Sequence, residues 1–337
     1  MVHQMKLNAD PFEKIEQGIK TIELRLWDEK RRLIKAGDEI EFTHAKDSAR
    51  KLRTRVVALH IFSSYAELYR SLPLLKCGYT KEDISTADPT DMDRYYTKEE
   101  QQQYGVVGIE IQLITKLCIF DLDGTVLDTV GSIAHYGNLA LQAHNIEPID
   151  VKEYNHFAGD GAKILIQRML HYRSCYSDGL HASVFKLYNE LYNADVTCKT
   201  VIFDGLKEIL DRLKMEGYRL AIVSNKPDFA AKTVANTLYG EGYFERVVGQ
   251  KEGSVLKPDP YEVLKLVQDF GTNAEDCVYV GDTDTDMQTG KNANLYTIGV
   301  LWGFRCREEL VASGADVIVS TPEELYKEIV KQTHRIG

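Results

Sequence analysis

Residues 116–129 read KLCIFDLDGTVLDT, and this run constrains the fold more than any other part of the chain. Its apolar residues, 117–120, show no helical spacing, which is typical of a buried parallel strand. Asp121, Asp123 and Gly124 then end the apolar run abruptly. Because ligands of open α/β sheets bind at the carboxyl ends of the strands, the sequence predicts a polar site here. The two acids repel each other, so such a site needs a cation or a shared proton.

The order Asp121-Leu122-Asp123-Gly124-Thr125 resembles the first motif of the haloacid dehalogenase (HAD) superfamily. This resemblance implies that Asp121 is a nucleophile that forms an aspartyl-phosphate, and that Asp123 is a general acid and base. It also places Thr125 among the substrate-binding residues. Taken alone, the run also fits a surface turn built from Asp and Gly. The later motifs favour the HAD interpretation.

Two further segments resemble the second and third HAD motifs, in the order in which the family has them. Ser224 and Asn225 follow an apolar strand-like run at 218–223. The resemblance implies that Ser224 hydrogen-bonds the phosphoryl group, with Asn225 close to it. Lys257 precedes Pro258 and matches the third motif, whose amine neutralises the charge of the nucleophile and the phosphoryl group. By itself, a Lys-Pro pair also fits a surface turn.

The fourth motif is similar to residues 281–287, GDTDTDM, which follow a predicted strand at 277–280. The resemblance implies a metal site made by four aspartates, Asp121, Asp123, Asp282 and Asp286. Mg²⁺ suits this set because it prefers a few carboxylates, a backbone oxygen and retained waters. An EF-hand calcium loop does not fit, since the glycine and the glutamate that it requires are missing.

Helical spacing without a strand-like interruption extends over about residues 131–198. An all-helical insertion directly after the first strand is what HAD enzymes with an α-helical cap show. The stretch 157–163 resembles the cap loop of phosphoglycolate-phosphatase-like members. This resemblance implies that Gly159, Gly161 and Lys163 face the substrate. A helix start preceded by a glycine turn is an equally simple interpretation of these residues.

Residues 1–115 form a module of their own in our interpretation. Short strands alternate with helices, which predicts a small β-barrel with helical connections. The residues around Gly18, Lys20, Glu23 and Arg25, with the later strand at 105–109, are similar to the ASCH domain, a PUA-like barrel. The resemblance implies a nucleoside or RNA ligand near Lys20, Glu23 and Arg25. Some members hydrolyse an acetylated cytidine with a Lys and a Thr here, but Glu23 replaces that Thr.

The formal net charge of −10 is shared unevenly between the two parts. Residues 1–115 carry 18 basic and 19 acidic side chains, and residues 116–337 carry 23 and 32. The acidic second part argues against broad electrostatic binding of nucleic acid there. No apolar run approaches the ~18 residues of a membrane span, so we expect a cytoplasmic protein without membrane contact. The six cysteines are widely spaced, which suggests neither a disulfide framework nor a zinc site.

The sequence therefore predicts an α/β fold. A doubly wound, Rossmann-like HAD core with an α-helical cap occupies 116–337, and a PUA-like β-barrel precedes it. The expected function is Mg²⁺-dependent hydrolysis of a small phosphorylated metabolite, with phosphoglycolate as the leading candidate. Alternatives are a nucleotide or RNA phosphatase whose substrate the first domain binds, a phosphomutase, or a binding protein with an incidental phosphatase. The oligomeric state stays open.

Overall fold

The computed structural model describes residues 1–334 of the chain, and these divide into two compact units. Residues 1–114 make up the first unit, and the second begins at Thr115. Each unit has its own apolar core, as independent domains do. None of the helices in the described range combines the length and the apolar character that crossing a bilayer requires.

A curled sheet of five strands forms the first unit. Its strands are β1 (Val2–Leu7), β2 (Ile22–Leu26), β3 (Glu39–His44), β4 (Lys51–Phe62) and β5 (Val106–Leu113). The connecting helices are α1 (Ala9–Glu16), α2 (Tyr65–Ser71) and α3 (Lys98–Tyr104). The strand order is β1-β3-β4-β5-β2, with β1 parallel to β3 and the other neighbours antiparallel. Because β1 and β2 lie at opposite ends of this order, the sheet is an open half-barrel.

Strand β1 was not predicted from the sequence. Only Met5 and Leu7 of its residues are buried, and two apolar positions are too few to give an alternating pattern. The strand forms because β3 offers it a full parallel ladder, from Val2 opposite Glu39 to Leu7 opposite His44. Pairing with a distant segment therefore decides the structure of these residues.

Strand β2 differs from the half-buried strand that its alternation predicts. Ile22 and Leu24 are buried as expected, but Glu23 is also only 4% exposed. The guanidinium of Arg25 donates a hydrogen bond to the Tyr96 hydroxyl at 3.4 Å. The segment after β4 thus covers the polar face of the strand, which the local sequence of β2 does not reveal.

The second unit is built on a sheet of six parallel strands, in the order β10-β9-β6-β11-β12-β13. These strands are β6 (Leu117–Phe120), β9 (Arg219–Pro227), β10 (Arg246–Gln250), β11 (Cys277–Gly281), β12 (Tyr296–Val300) and β13 (Val317–Val319). Its helices outside the cap are α8 (Leu206–Met215), α9 (Asp228–Tyr239), α10 (Tyr261–Asp269), α11 (Asp284–Asn292), α12 (Arg307–Ala312) and α13 (Pro322–His334). This architecture confirms the predicted doubly wound core.

Strand β6 lies between β9 and β11 in the sheet, and all four of its residues are fully buried. The chain leaves the core through a small ribbon, β7 (Leu127–Asp128) paired with β8 (Val201–Ile202). Four helices form the cap between the two ribbon strands, α4 (Val130–Ala143), α5 (Tyr154–Phe157), α6 (Ala162–Tyr172) and α7 (Asp178–Ala194). The central position of β6 brings the segments that follow β6, β9 and β11 together at one edge.

Candidate active site

Three buried carboxylates meet at the carboxyl edge of the second sheet. Asp121 follows β6, Asp282 follows β11, and Asp286 lies in the first turn of α11. Each offers one oxygen, and these oxygens all lie within 4.8 Å of one another. Since β6 and β11 pair in parallel as neighbours, their carboxyl ends lie side by side at the same edge of the sheet. The structure thus brings together three of the four aspartates that the sequence predicts as metal ligands.

The helix cap of α11 holds Asp286 in place. Thr283 is the cap residue, and its hydroxyl accepts a hydrogen bond from the Asp286 backbone N–H while Asp286 reaches back to the Thr283 N–H. Oδ2 of Asp286 accepts from this N–H at 3.0 Å and from the Thr283 hydroxyl at 2.7 Å. Such a capping box fixes the side chain without using Oδ1. Oδ1 therefore remains directed at the site.

Asp282 is fully buried and receives two hydrogen bonds. The Thr125 hydroxyl donates to Oδ1 at 2.8 Å, and the Phe304 backbone N–H donates to Oδ2 at 2.7 Å. Thr125 was predicted to bind substrate, and here it supports a carboxylate. Phe304 was not singled out by the sequence analysis, because a backbone N–H carries no sequence signal.

Lys257 links two of the carboxylates. Its Nζ lies 2.6 Å from Oδ1 of Asp121 and 2.7 Å from Oδ1 of Asp286. The side-chain oxygen of Asn225 accepts from the Lys257 backbone N–H at 2.9 Å, which fixes the start of the lysine. Burial opposes the charge of the ammonium, but Asp121 and Asp286 outweigh it and raise the pKa of Lys257. The lysine is therefore a permanent cation.

One ammonium does not balance three buried carboxylates. Burial raises the pKa of Asp121 to about 7, although Lys257 pulls it down, and the charges of Asp286 and Asp123 add to the rise. Burial, followed by the charges of Asp286 and Asp121, also raises the pKa of Asp282. Clustered carboxylates with this excess of negative charge fit a hard divalent cation, which takes oxygen ligands.

The side chain of Asp123, which the sequence analysis placed among the metal ligands, does not lie in the cluster of Asp121, Asp282 and Asp286. Its Oδ1 instead accepts a hydrogen bond from Nζ of Lys226 at 2.8 Å. Burial opposes the charge of this lysine, yet Asp123 raises the pKa of Lys226. Ser224 lies beside this pair, since its hydroxyl accepts from the Lys226 backbone N–H at 3.3 Å. Lys226 follows the predicted Ser224 and Asn225, but no role for it was predicted from the sequence.

A cavity of about 60 Å³ lies where the cap meets the core. It is lined by Asp121, Asp123, Ile133, Ala158, Gly159, Gly161, Ala162, Leu165, Tyr188, Asn189, Tyr192, Asn193, Ser224, Asn225, Lys226 and Pro227. The predicted loop residues Gly159 and Gly161 are thus at the site. The structure does not place Lys163 there, because this side chain is exposed on the second residue of α6 and does not line the cavity.

Core side chains fasten the cap loop 155–160 over this cavity. The guanidinium of Arg305 donates to the carbonyl oxygens of Asn155 and Ala158, the latter at 2.9 Å. The Thr285 hydroxyl donates to Asp160 at 2.8 Å. Arg305 comes directly after Phe304, so one loop holds both Asp282 and the cap. These contacts describe a closed cap, which excludes water from the site.

The first unit has a larger cavity of about 490 Å³, and the predicted residues Lys20, Glu23 and Arg25 all line it. Nζ of Lys20 donates to the Cys77 carbonyl at 2.7 Å and lies 3.3 Å from Glu23. Nε of Arg25 lies 2.9 Å from Glu23 on its other side. Glu23 is therefore held between two cations.

Gly303 provides a test of the carboxylate geometry. A Cβ at this position would stand 2.3 Å from Oδ2 of Asp282 and 2.4 Å from its Cβ, so Gly303→Ala has to displace that carboxylate. We expect phosphatase activity to fall by about 100-fold or more, since a displacement of ~1 Å can cost that much. Initial rates over a range of MgCl₂ concentrations measure the effect.

Gly179→Ala is the matched control for this substitution, because nothing lies within 4 Å of the added Cβ on helix α7. The control should retain the wild-type rate. A Gly303→Ala protein with an unchanged rate and an unchanged metal requirement would contradict the role of Asp282 in the site.

Comparisons with known proteins agree with this geometry. Residues 118–300 match the family model of the haloacid dehalogenase-like hydrolases, and residues 5–115 match that of the ASCH domain. Phosphoglycolate phosphatases of Colwellia psychrerythraea and Aquifex aeolicus are each 29% identical to this chain. The alignments cover 62% and 63% of the chain, respectively, and 95% of each relative.

Solved structures show the same fold. A candidate phosphoglycolate phosphatase from Lactobacillus delbrueckii is 30% identical, with a TM-score of 0.61, and covers 64% of this chain and 98% of its own. A predicted phosphatase from Clostridium acetobutylicum is 25% identical, with a TM-score of 0.58 and coverages of 65% and 99%. Buried acids at the strand ends, a helical cap and these relatives lead to one conclusion. The chain belongs to the haloacid dehalogenase-like hydrolase family as a phosphatase, and carries an ASCH domain before its catalytic unit.

Proposed function

We propose that this phosphatase is a Mg²⁺-dependent phosphomonoesterase that works through a phosphorylated Asp121. One observation carries the proposal. Of the three clustered carboxylates, Asp121 is the one that also lines the cap cavity, whereas Asp282 and Asp286 lie behind it. Asp121 therefore faces both the proposed cation and the substrate, which is the position that a nucleophile requires.

Asp121, Asp282 and Asp286 would hold the Mg²⁺. When bound, the ion neutralises negative charge on the phosphoryl oxygens and on the carboxylates. Lys257 does the same from its position between Asp121 and Asp286. The Ser224 hydroxyl and the Asn225 amide are neutral polar groups in the lining of the cavity.

The reaction divides into two displacements on phosphorus. In the first, an oxygen of Asp121 bonds to phosphorus, the bond to the leaving oxygen breaks, and Asp123 gives that oxygen a proton. In the second, Asp123 takes a proton from water, the water oxygen bonds to phosphorus, and the bond to Asp121 breaks. Both acids line the same cavity, as this exchange of roles demands.

The size of the cavity supports a small leaving group. One water-sized group needs about 10–15 Å³ of such space, so 60 Å³ accommodates about four to six of them. Because Asp121 lines the same cavity, the phosphoryl group shares this space, and only a leaving group as small as glycolate is compatible with it. Phosphoglycolate is the substrate that the relatives' names give. A nucleoside or a sugar phosphate is several times larger. We therefore favour phosphoglycolate, or a metabolite of its size, over a nucleotide or a phosphomutase substrate.

Phosphate release from a panel of phosphomonoesters tests the proposal. The full-length protein is incubated with MgCl₂ and with phosphoglycolate, sugar phosphates or nucleotides, and free phosphate is measured. We expect phosphoglycolate to give the largest kcat/KM. A faster release from nucleotides would favour the nucleotide phosphatase, and isomerised sugar phosphate without free phosphate would favour the mutase.

Metal binding should stabilise the protein, and the pKa of Asp121 gives a pH dependence. Burial raises this pKa from 3.8 to about 7, so the folded state binds a proton that the unfolded state has lost. With EDTA, the free energy of unfolding should therefore fall as pH rises from about 4 to 7. Adding MgCl₂ at pH 8 should then raise the melting temperature by several degrees. A melting temperature insensitive to MgCl₂ at pH 8 would count against the metal site.

For the first unit, we propose a nucleoside or RNA ligand in its cavity. Tyr95 and Tyr96 line this cavity beside Arg94, and the Tyr95 ring is 53% exposed. An exposed ring next to a cation suits base stacking, which contributes about 1–3 kcal/mol per base. Tyr95→Ala should weaken binding of a short RNA to the full-length protein by about tenfold. Tyr176→Ala, an exposed cap tyrosine, is the control that should not change it.

We also propose a cytoplasmic location. All six cysteines of the chain are free thiols. Three of them are buried among apolar residues, where oxidation would be difficult in any compartment. Unpaired cysteines are typical of proteins in reducing compartments.

A further inference from the structure

Among residues 1–334, Lys226 is the single lysine or arginine that lines the cap cavity. Its side chain is 4% exposed, and Nζ lies 2.8 Å from Oδ1 of Asp123 and 4.8 Å from the centre of the Tyr192 ring. The ammonium therefore has two neighbouring side chains, Asp123 and Tyr192, as partners for its three N–H donors. A buried ammonium of this kind can still accept an anionic partner from the cavity.

We propose that Lys226 binds a second acidic group of the substrate, and that it thereby selects phosphomonoesters with a carboxylate on the carbon next to the leaving oxygen. This inference rests on the proposed function, because it assumes that phosphoester cleavage takes place in this cavity. The inference assigns the choice of substrate class to Lys226, and it explains the preference for an acidic leaving group by the charge of this lysine.

The geometry follows from the shared contact with Asp123. In the proposed reaction, Asp123 gives its proton to the leaving oxygen, so that oxygen lies within hydrogen-bond distance of the Asp123 carboxylate. Nζ of Lys226 already contacts the same carboxylate. Where the leaving oxygen and Nζ share one carboxylate oxygen of Asp123, they are separated by at most the sum of two hydrogen bonds, about 5–6 Å. A carboxylate one carbon away from the leaving oxygen spans this gap.

The charges in the cavity explain why the lysine would discriminate. Its other charged lining residues, Asp121 and Asp123, are acids, and they disfavour an anionic leaving group. Lys226 is the group that offsets this repulsion. A neutral leaving group leaves the Lys226–Asp123 pair unchanged and gains nothing from it. We expect a preference of about 10- to 100-fold, the size of a charge-assisted hydrogen bond in a closed site.

Two esters that differ in one group measure this preference. Phosphoglycolate carries a carboxylate where 2-hydroxyethyl phosphate carries a neutral alcohol. In the wild-type protein, kcat/KM for phosphoglycolate should be at least tenfold higher. Lys226→Gln should reduce this ratio at least tenfold, while Lys226→Arg should restore part of it because it keeps the charge.

The outcomes separate this inference from the function on which it rests. Hydrolysis of both esters at equal kcat/KM by the wild type overturns the inference alone, and so does a ratio that Lys226→Gln leaves unchanged. Hydrolysis of neither ester overturns the proposed function as well.

Product inhibition gives a second measurement that needs no variant. With phosphoglycolate as substrate and MgCl₂ in excess, glycolate should inhibit phosphate release by the wild type at a concentration at least tenfold lower than ethylene glycol does. Glycolate has one oxygen more than ethylene glycol, and only glycolate is charged. Equal inhibition by both would overturn the proposal even if Lys226→Gln fails to fold.

Discussion

Replacing Asp121 by Asn should reduce phosphatase turnover by at least about 10⁴-fold, as loss of a catalytic nucleophile does in other enzymes. The amide cannot form the acyl phosphate, although its oxygen can still accept the hydrogen bond from Lys257 that the carboxylate accepts at 2.6 Å. The fold should persist. Phosphate release measures the rate, and mass spectrometry of the wild type during turnover should detect one added phosphoryl group on the peptide containing residue 121.

Stability distinguishes this interpretation from simple unfolding. The buried carboxylate of Asp121 has a raised pKa, so its charge is unfavourable without a cation. In EDTA at pH 8, Asp121→Asn should therefore melt at the wild-type temperature or above it. Asp269→Asn, an exposed acid at the end of α10, is the matched control and should keep full activity. A wild-type rate in Asp121→Asn would refute the assignment of the nucleophile.

Replacing Lys257 by Met should affect both catalysis and stability. The ammonium contacts Asp121 and Asp286 at 2.6 and 2.7 Å in a fully buried position. Its loss leaves these carboxylates without their cation, which typically costs about 3–5 kcal/mol in the free energy of unfolding. Activity should fall by about 10²- to 10³-fold, because one preorganised charge is lost from the transition state.

Thermal melting in EDTA and in MgCl₂ tests the explanation for this loss. Each kcal/mol lowers the melting temperature of a domain of this size by about 2–4 °C. If charge excess causes the loss, MgCl₂ should recover part of it. Lys265→Met, on the exposed face of α10, should behave as the wild type. An equal loss in both conditions would point to packing, not to charge.

The sequence predicted the site residues that directly follow a predicted strand. Asp121 follows an apolar run and Asp282 follows another, so a parallel sheet puts both at the same edge, and the pairing of β6 with β11 makes them neighbours. Lys226 and Gly303 could not be found in this way. The first matters because its side chain reaches Asp123, 103 residues earlier in the chain, and the second because a Cβ would collide with Asp282. Neither contact leaves a local pattern.

Two predictions failed for the same physical reason. Lys163 was expected at the substrate, but the helical turn that starts at Ala162 directs it to solvent. Strand β2 was expected to expose Glu23, but a segment far along the chain covers it. Local spacing gives the direction of a side chain relative to its own element, and only packing decides what lies on that side.

The sequence by itself determined the family, the motifs that follow predicted strands, the helical nature of the cap and the separate first unit. These features depend on hydrophobic periodicity and on motifs, which are properties of short segments. The tertiary structure alone decided which acid pairs with which lysine, how small the cap cavity is, and which of the three clustered acids faces it. Those properties depend on distances between residues that lie far apart in the chain, and no local pattern encodes them.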